Sequence, residues 1–200
     1  MNWRALFKPS AKISVFSLLV LGILVGVVGF FGTQTALHMT STDEFCMTCH
    51  SNHSLKDEVM ASAHGNNKQG IVVQCQQCHI PQEPFAYLKK KIIVSKDALT
   101  FMMIDGFNTQ AWLDANRKEQ ADKARDFLRS IDSSTCQNCH KRIYENQPDT
   151  MSKKAVRMHK NNAKKAPEKR KTCIDCHRGV AHPYPKEEAE GEKGESEAEG

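Results

Sequence analysis

Cys46-Met47-Thr48-Cys49-His50 is the first of four Cys-x-x-Cys-His pentads, and its reading decides how the chain is built. Cys75-Gln76-Gln77-Cys78-His79, Cys136-Gln137-Asn138-Cys139-His140 and Cys173-Ile174-Asp175-Cys176-His177 repeat it. The spacing is that of covalent c-type haem attachment. Two thiols form thioethers with the haem vinyl groups, and the adjacent imidazole is offered to the iron. The pentads use all eight cysteines. One pentad would allow a zinc site or a redox dithiol, but four with no cysteine left over, behind an export-competent apolar segment, weigh against both. The implied cofactors are four haem c groups, with His50, His79, His140 and His177 as proximal iron ligands.

On the amino-terminal side of the first pentad, residues 13–37 carry no charge and are mostly Ile, Leu, Val, Phe and Gly. At about 1.5 Å per residue such a helix reaches roughly 37 Å, enough to cross a hydrocarbon core of about 30 Å. The run is longer than a signal-peptide core and lacks a good small-x-small end, so it reads as an uncleaved anchor. Arg4, Lys8 and Lys12 precede it and Asp43-Glu44 follow it, which orients residues 1–12 to the cytoplasm and everything after the span to the periplasm of a bacterial inner membrane.

The remainder is polar and offers little for a protein-only core. Four haems would supply the missing apolar surface. The expected fold is mainly α: one transmembrane helix, then a compact, largely helical tetrahaem domain over 38–185 with little or no sheet. Pentads 1 and 2 lie in 40–82 and pentads 3 and 4 in 133–185, each pair with a lone histidine between its members, which reads as two two-haem units. Residues 84–130 form an amphipathic helical linker between them. Within it, Lys89, Lys90, Lys91 and Lys96 interrupt an apolar stretch, which suits a helix packed on haem faces, a helix lying at the membrane surface, or both.

Formal net charge is +5, but residues 186–200 hold seven Glu and two Lys. That acidic tail reads as disordered. The lysines elsewhere are better matched to haem propionates than to phosphodiesters, so no nucleic-acid partner is implied.

A low-spin electron-transfer haem needs a second strong axial ligand. Five histidines remain for four irons. His64, His159 and His182 lie within or just after the haem units and are the favoured distal ligands; His38 sits at the membrane edge, and His53 is either a ligand or exposed. The count leaves haem 1 with an open or weakly held position.

The four pentads, the single anchor, Ser62-Ala63-His64, the Phe45 to Leu55 stretch, the Ile104 to Leu113 block and Gly179-Val180-Ala181-His182-Pro183 together resemble the NapC/NirT family of tetrahaem quinol dehydrogenases over nearly the whole chain. The resemblance implies oxidation of menaquinol or ubiquinol from the membrane pool and one-electron delivery to soluble periplasmic reductases or cytochromes. It assigns His64 and His182 to the later haems and His159 to haem 2. It puts a quinol pocket beside haem 1, where Lys91 and Asp97 are the matching residues: Lys91 as donor to the quinol oxygen, Asp97 as base. Many members read Cys-x-x-Cys-His-x-Met at the first motif, whereas this chain has Asn52. Two rival readings are an anchored relay without a quinol site and a small-ligand reductase at an open haem. Homo-oligomerisation is left open.

Overall fold

The computed structural model describes residues 15–50, 54–103, 106, 109–141, 143 and 151–183. Residues 1–12, the tail from 186, Asn52 and His53 lie outside them, and with them the expectations placed there. The described residues are mainly helical and contain no extended strand.

Helix α1, Val15–Met39, contains the one helix among the described residues long and apolar enough to cross a membrane, Ser17–Met39, with mean hydropathy 2.0 and no side chain of that window buried against protein. It runs two residues beyond the uncharged stretch of 13–37. Its end is closed by α5, Pro84–Met103. Tyr87 Oη donates to Leu37 O at 3.0 Å and lies 2.5 Å from Ser41 Oγ, which itself donates to Leu37 O at 2.7 Å. Lys91 Nζ donates to Thr40 O, which places an ammonium at the negative end of the helix dipole.

Four short helices carry the pentads: α2 Asp43–His50, α4 Cys75–His79, α7 Ser134–Gln137 and α9 Cys173–Cys176. One helical turn suits Cys-x-x-Cys because residues i and i+3 share a face. In two of the motifs the residue before the second cysteine caps the turn: Gln77 Oε1 accepts from Gln74 N at 2.8 Å, and Asp175 Oδ2 accepts from Thr172 N at 2.8 Å and Thr172 Oγ1 at 2.9 Å.

The remaining helices are α3 Leu55–Ala61, α6 Gln110–Ser130 and α8 Lys153–Ala163, with a 3-10 turn at Pro167–Lys169. Residues 84–130 are thus two helices with Gly106, at φ +76°, between them. Thr109 Oγ1 accepts from Trp112 N at 3.2 Å and starts α6. Lys90 Nζ lies 3.6 Å from the centre of the Phe127 ring, a cation–π contact that joins α5 to α6.

After α6 the chain reverses through Asp132 and Ser133, at φ 49° and 50°, left-handed conformations that non-glycine residues adopt at a cost of about 1–2 kcal/mol each. The reversal brings fully buried Ser133 to motif 4, where its Oγ accepts from Ile174 N at 3.4 Å. Arg129 Nε donates to Asp175 Oδ1 at 2.7 Å and pins the same motif to α6.

Ile80, Leu113 and Ile174 are the buried hydrophobic side chains among the described residues. That is far too little to stabilise a domain of this length. Two of the three lie in or beside a pentad.

Candidate haem sites and electron-entry site

No disulfide joins any of the eight cysteines. Cys46 and Cys75 share a hydrogen bond that draws Cys46 down to about 7 and pushes Cys75 up. Cys136 and Cys173 do the same, with Cys136 drawn down to about 6. Motif 1 therefore abuts motif 2, and motif 3 abuts motif 4. Helix α4 also packs on α7, so motif 2 abuts motif 3. The four attachment points form one uninterrupted series.

Three histidine pairs face one another. His64 and His140 have ring centres 6.3 Å apart and planes at 80°; His79 and His182 are 6.4 Å apart at 46°; His159 and His177 are 5.9 Å apart at 10°. Metal–nitrogen bonds of about 2 Å, added to the distance of about 1.1 Å from ring nitrogen to ring centre, put two trans imidazoles roughly 6.2 Å apart. Each pair thus has room for one iron and contains one pentad histidine. Two cysteines beside each pentad histidine, none in a disulfide, and a protein core of three buried hydrophobic side chains among the described residues complete the fit to haem.

This pairing differs from the assignment the resemblance implies. His159, assigned there to haem 2, stands opposite His177 of motif 4; His182, assigned to a later haem, stands opposite His79 of motif 2. His64 does stand opposite a later motif, the third. The reason is the chain path. The segment after α9 folds back across the first unit, where Val180 O lies 3.1 Å from His64 Nδ1, and carries His182 to α4. The two units are consequently not self-contained, since two of the three pairs cross between them.

Local structure aims each partner. Gly65 follows His64 in a tight return against α3, where a Cβ would lie 2.4 Å from Met60 Cα and from Val59 O, so glycine is required. His159 Nδ1 lies 2.9 Å from Ala155 O, one turn back in α8. His182 Nδ1 lies 3.1 Å from Glu58 Oε2. Burial favours the neutral Glu58 acid, but hydrogen bonds from Arg117, Ser54 and His182 outweigh it and hold the carboxyl below its ordinary range.

Around motif 1, Asp43 opens α2 and ties it to its neighbours: Oδ1 accepts from Cys75 N at 2.8 Å, and Oδ2 pairs with Lys56. Burial opposes ionisation there, yet these donors hold the carboxyl low. Lys91 is near enough to Cys46 to feel its charge, and burial pulls its ammonium below the ordinary lysine value. Asp97 is not brought to Lys91. Six residues along α5 it lies about 120° around the helix; it is exposed, on the side of Lys90.

Tyr87, Glu58 and Arg117 are the site residues sequence reasoning missed. Tyr87 was findable in principle, four residues before Lys91 and therefore on its face. Glu58 and Arg117 had no local signal, because their partners are distant in sequence.

No solved structure matches the chain. Residues 8–187 match the profile described as the NapC/NirT cytochrome c family, N-terminal region. The chain is 71% identical over 186 residues to the tetraheme c-type cytochrome CymA of Shewanella oneidensis, covering 93% of this chain and 100% of that protein. It is 32% identical over 188 residues to the cytochrome c-type protein NapC of Escherichia coli, covering 92% and 88% of the two chains. It is 32% identical over 183 residues to TorC of the same species, covering 92% of this chain and 46% of TorC. The chain belongs to the NapC/NirT cytochrome c family, the electron-transfer cytochromes whose motifs its four pentads repeat.

Proposed function

We propose that this protein is a membrane-anchored quinol dehydrogenase of the bacterial inner membrane, oxidising menaquinol or ubiquinol and passing electrons through four c-type haems to periplasmic reductases or cytochromes. The observation that carries the reading is Lys91: its ammonium bonds the Thr40 carbonyl where the apolar helix ends, beside Cys46 where the first motif begins. A lipid-borne substrate and the first electron acceptor meet at such a junction.

When bound, the haems supply one-electron redox centres. The chain's own residues do the rest. Cys46 and Cys49, Cys75 and Cys78, Cys136 and Cys139, and Cys173 and Cys176 would hold them covalently. His79 with His182, His64 with His140, and His159 with His177 are the pairs that would each hold one iron, and two strong ligands would keep its coordination unchanged as an electron is passed. His50 would be the proximal ligand of the haem nearest the membrane. Lys91 donates to a quinol oxygen and favours its deprotonated form, while Asp97, exposed on the Lys90 side of the helix, stands outside that contact. The contiguity of the motifs supports a path in chain order, from the first to the fourth.

The test is quinol oxidation by purified protein in liposomes. Lys91→Gln should slow it by about tenfold or more with normal haem content, and Asp97→Asn should leave it unchanged. Unchanged turnover in Lys91→Gln overturns the pocket, and wild-type haems that stay oxidised with reduced quinol leave an anchored relay instead.

A further inference from the structure

Glu58 joins three separated parts of the fold. Its Oε2 accepts from Arg117 on α6 at 2.7 Å and from His182 Nδ1, in the segment after α9, at 3.1 Å. Its Oε1 accepts from Ser54 Oγ at 2.7 Å, and Ser54 N donates in turn to Gln110 Oε1 at 2.8 Å. The Glu58 and Arg117 side chains are largely shielded from water, 13% and 19% exposed. By contrast, the Nδ1 atoms of His64 and His159 face the backbone carbonyls of Val180 and Ala155.

A carboxylate can only accept, so the His182 Nδ1 carries the proton and Nε2 is left with the lone pair a metal needs, on a ring whose centre lies 6.4 Å from that of His79. A charged acceptor draws on that proton more strongly than a carbonyl does. The ring becomes a better donor to a metal at Nε2, and a better donor favours ferric over ferrous iron. Arg117 takes part of the carboxylate's charge and tempers the effect.

We propose that Glu58 is the positioning residue that orients His182 and lowers the reduction potential of the haem at motif 2, with Arg117 setting by how much. Haems 3 and 4, whose distal imidazoles meet neutral carbonyls, receive no such bias from that position. The inference rests on the reading that His79 and His182 share one iron.

The experiment is a redox titration of the full-length, haem-loaded protein in detergent, followed by electron paramagnetic resonance so that individual low-spin haems are resolved. Glu58→Gln should raise the midpoint of one haem, with haem content and the number of low-spin signals unchanged. Arg117→Gln should lower the midpoint of the same haem. His182→Met identifies that haem by changing its low-spin signal. An unchanged or lowered midpoint in Glu58→Gln, or an equal shift of all four haems, overturns the inference. Should Glu58→Gln fail to accumulate, Arg117→Gln decides: a downward shift upholds the inference, and no shift or an upward one overturns it. If His182→Met alters no low-spin signal, the shared-iron reading fails; if it alters one while Glu58→Gln leaves that haem's midpoint in place, only the role of Glu58 fails.

Discussion

His64 and His140 stand with ring centres 6.3 Å apart and planes at 80°, although one follows the first haem motif and the other closes the third. The distance is that of two imidazoles across one iron. The angle has a consequence of its own. Parallel imidazole planes split the two iron orbitals they donate into, while perpendicular planes leave them nearly degenerate.

The three pairs should therefore be spectroscopically distinct. The His64/His140 haem should give a highly anisotropic low-spin resonance, and the His159/His177 haem, with planes at 10°, a rhombic one. His64→Met and His159→Met should each remove one of these signals and leave the other. The affected haem should rise in potential by roughly 0.1 V or more, within the range of about 0.8 V that axial ligands cover. Low-temperature paramagnetic resonance of the two variants checks this. Loss of both signals from one substitution would contradict the pairing.

Gly65→Ala should disturb the His64 haem without touching any ligand. The added Cβ meets Met60 Cα and Val59 O at 2.4 Å, and both are backbone atoms that cannot swing away. The turn must open, at a cost of about 1–3 kcal/mol. High-spin haem should appear in proportion to the loss of His64, and an optical spectrum with its charge-transfer band is the measurement.

Tyr87→Phe should loosen α5 from the end of the apolar helix. The phenol oxygen bonds Leu37 O and Ser41 Oγ, so its removal should cost about 1 kcal/mol. For a chain of this size that corresponds to a melting temperature lower by about 2–4 °C. Amide exchange should quicken at Thr40 and Ser41 and not in α8, which calorimetry alone would not reveal.

Acid should release the contact between the first two motifs at Asp43. The folded carboxyl is held below its unfolded value of 3.8 by Lys56 and the Cys75 amide, despite burial acting the other way. The unfolded state therefore binds the proton first. The contribution is complete above about pH 4 and is lost as pH falls through the lower folded value. Asp43→Asn should cost about 1 kcal/mol at pH 7 and flatten stability below pH 4, as read by denaturant melts across pH.

The chain's local chemistry was legible without coordinates because it is local. Cys-x-x-Cys-His occupies one helical turn, and an uncharged run of sufficient length makes α1. Each follows from residues a few positions apart. What the linear order could not supply is which distant atoms meet. Single histidines such as His159 and His182 carry no label for their iron, and position between motifs suggested units that the return of the carboxy-terminal segment across α4 in fact interlocks. Lys91 and Asp97 looked like neighbours in sequence, but helical geometry turns them to different faces. Glu58 and Arg117 were silent, since an ion pair and an imidazole contact spanning three elements leave no periodicity behind. Residues a few positions apart specify four haem-attachment motifs and an apolar helix. Which histidine rings face one another, and what lies behind each, depends instead on the turns at Gly65, at Asp132-Ser133 and after Cys176, which bring together residues far apart in the chain.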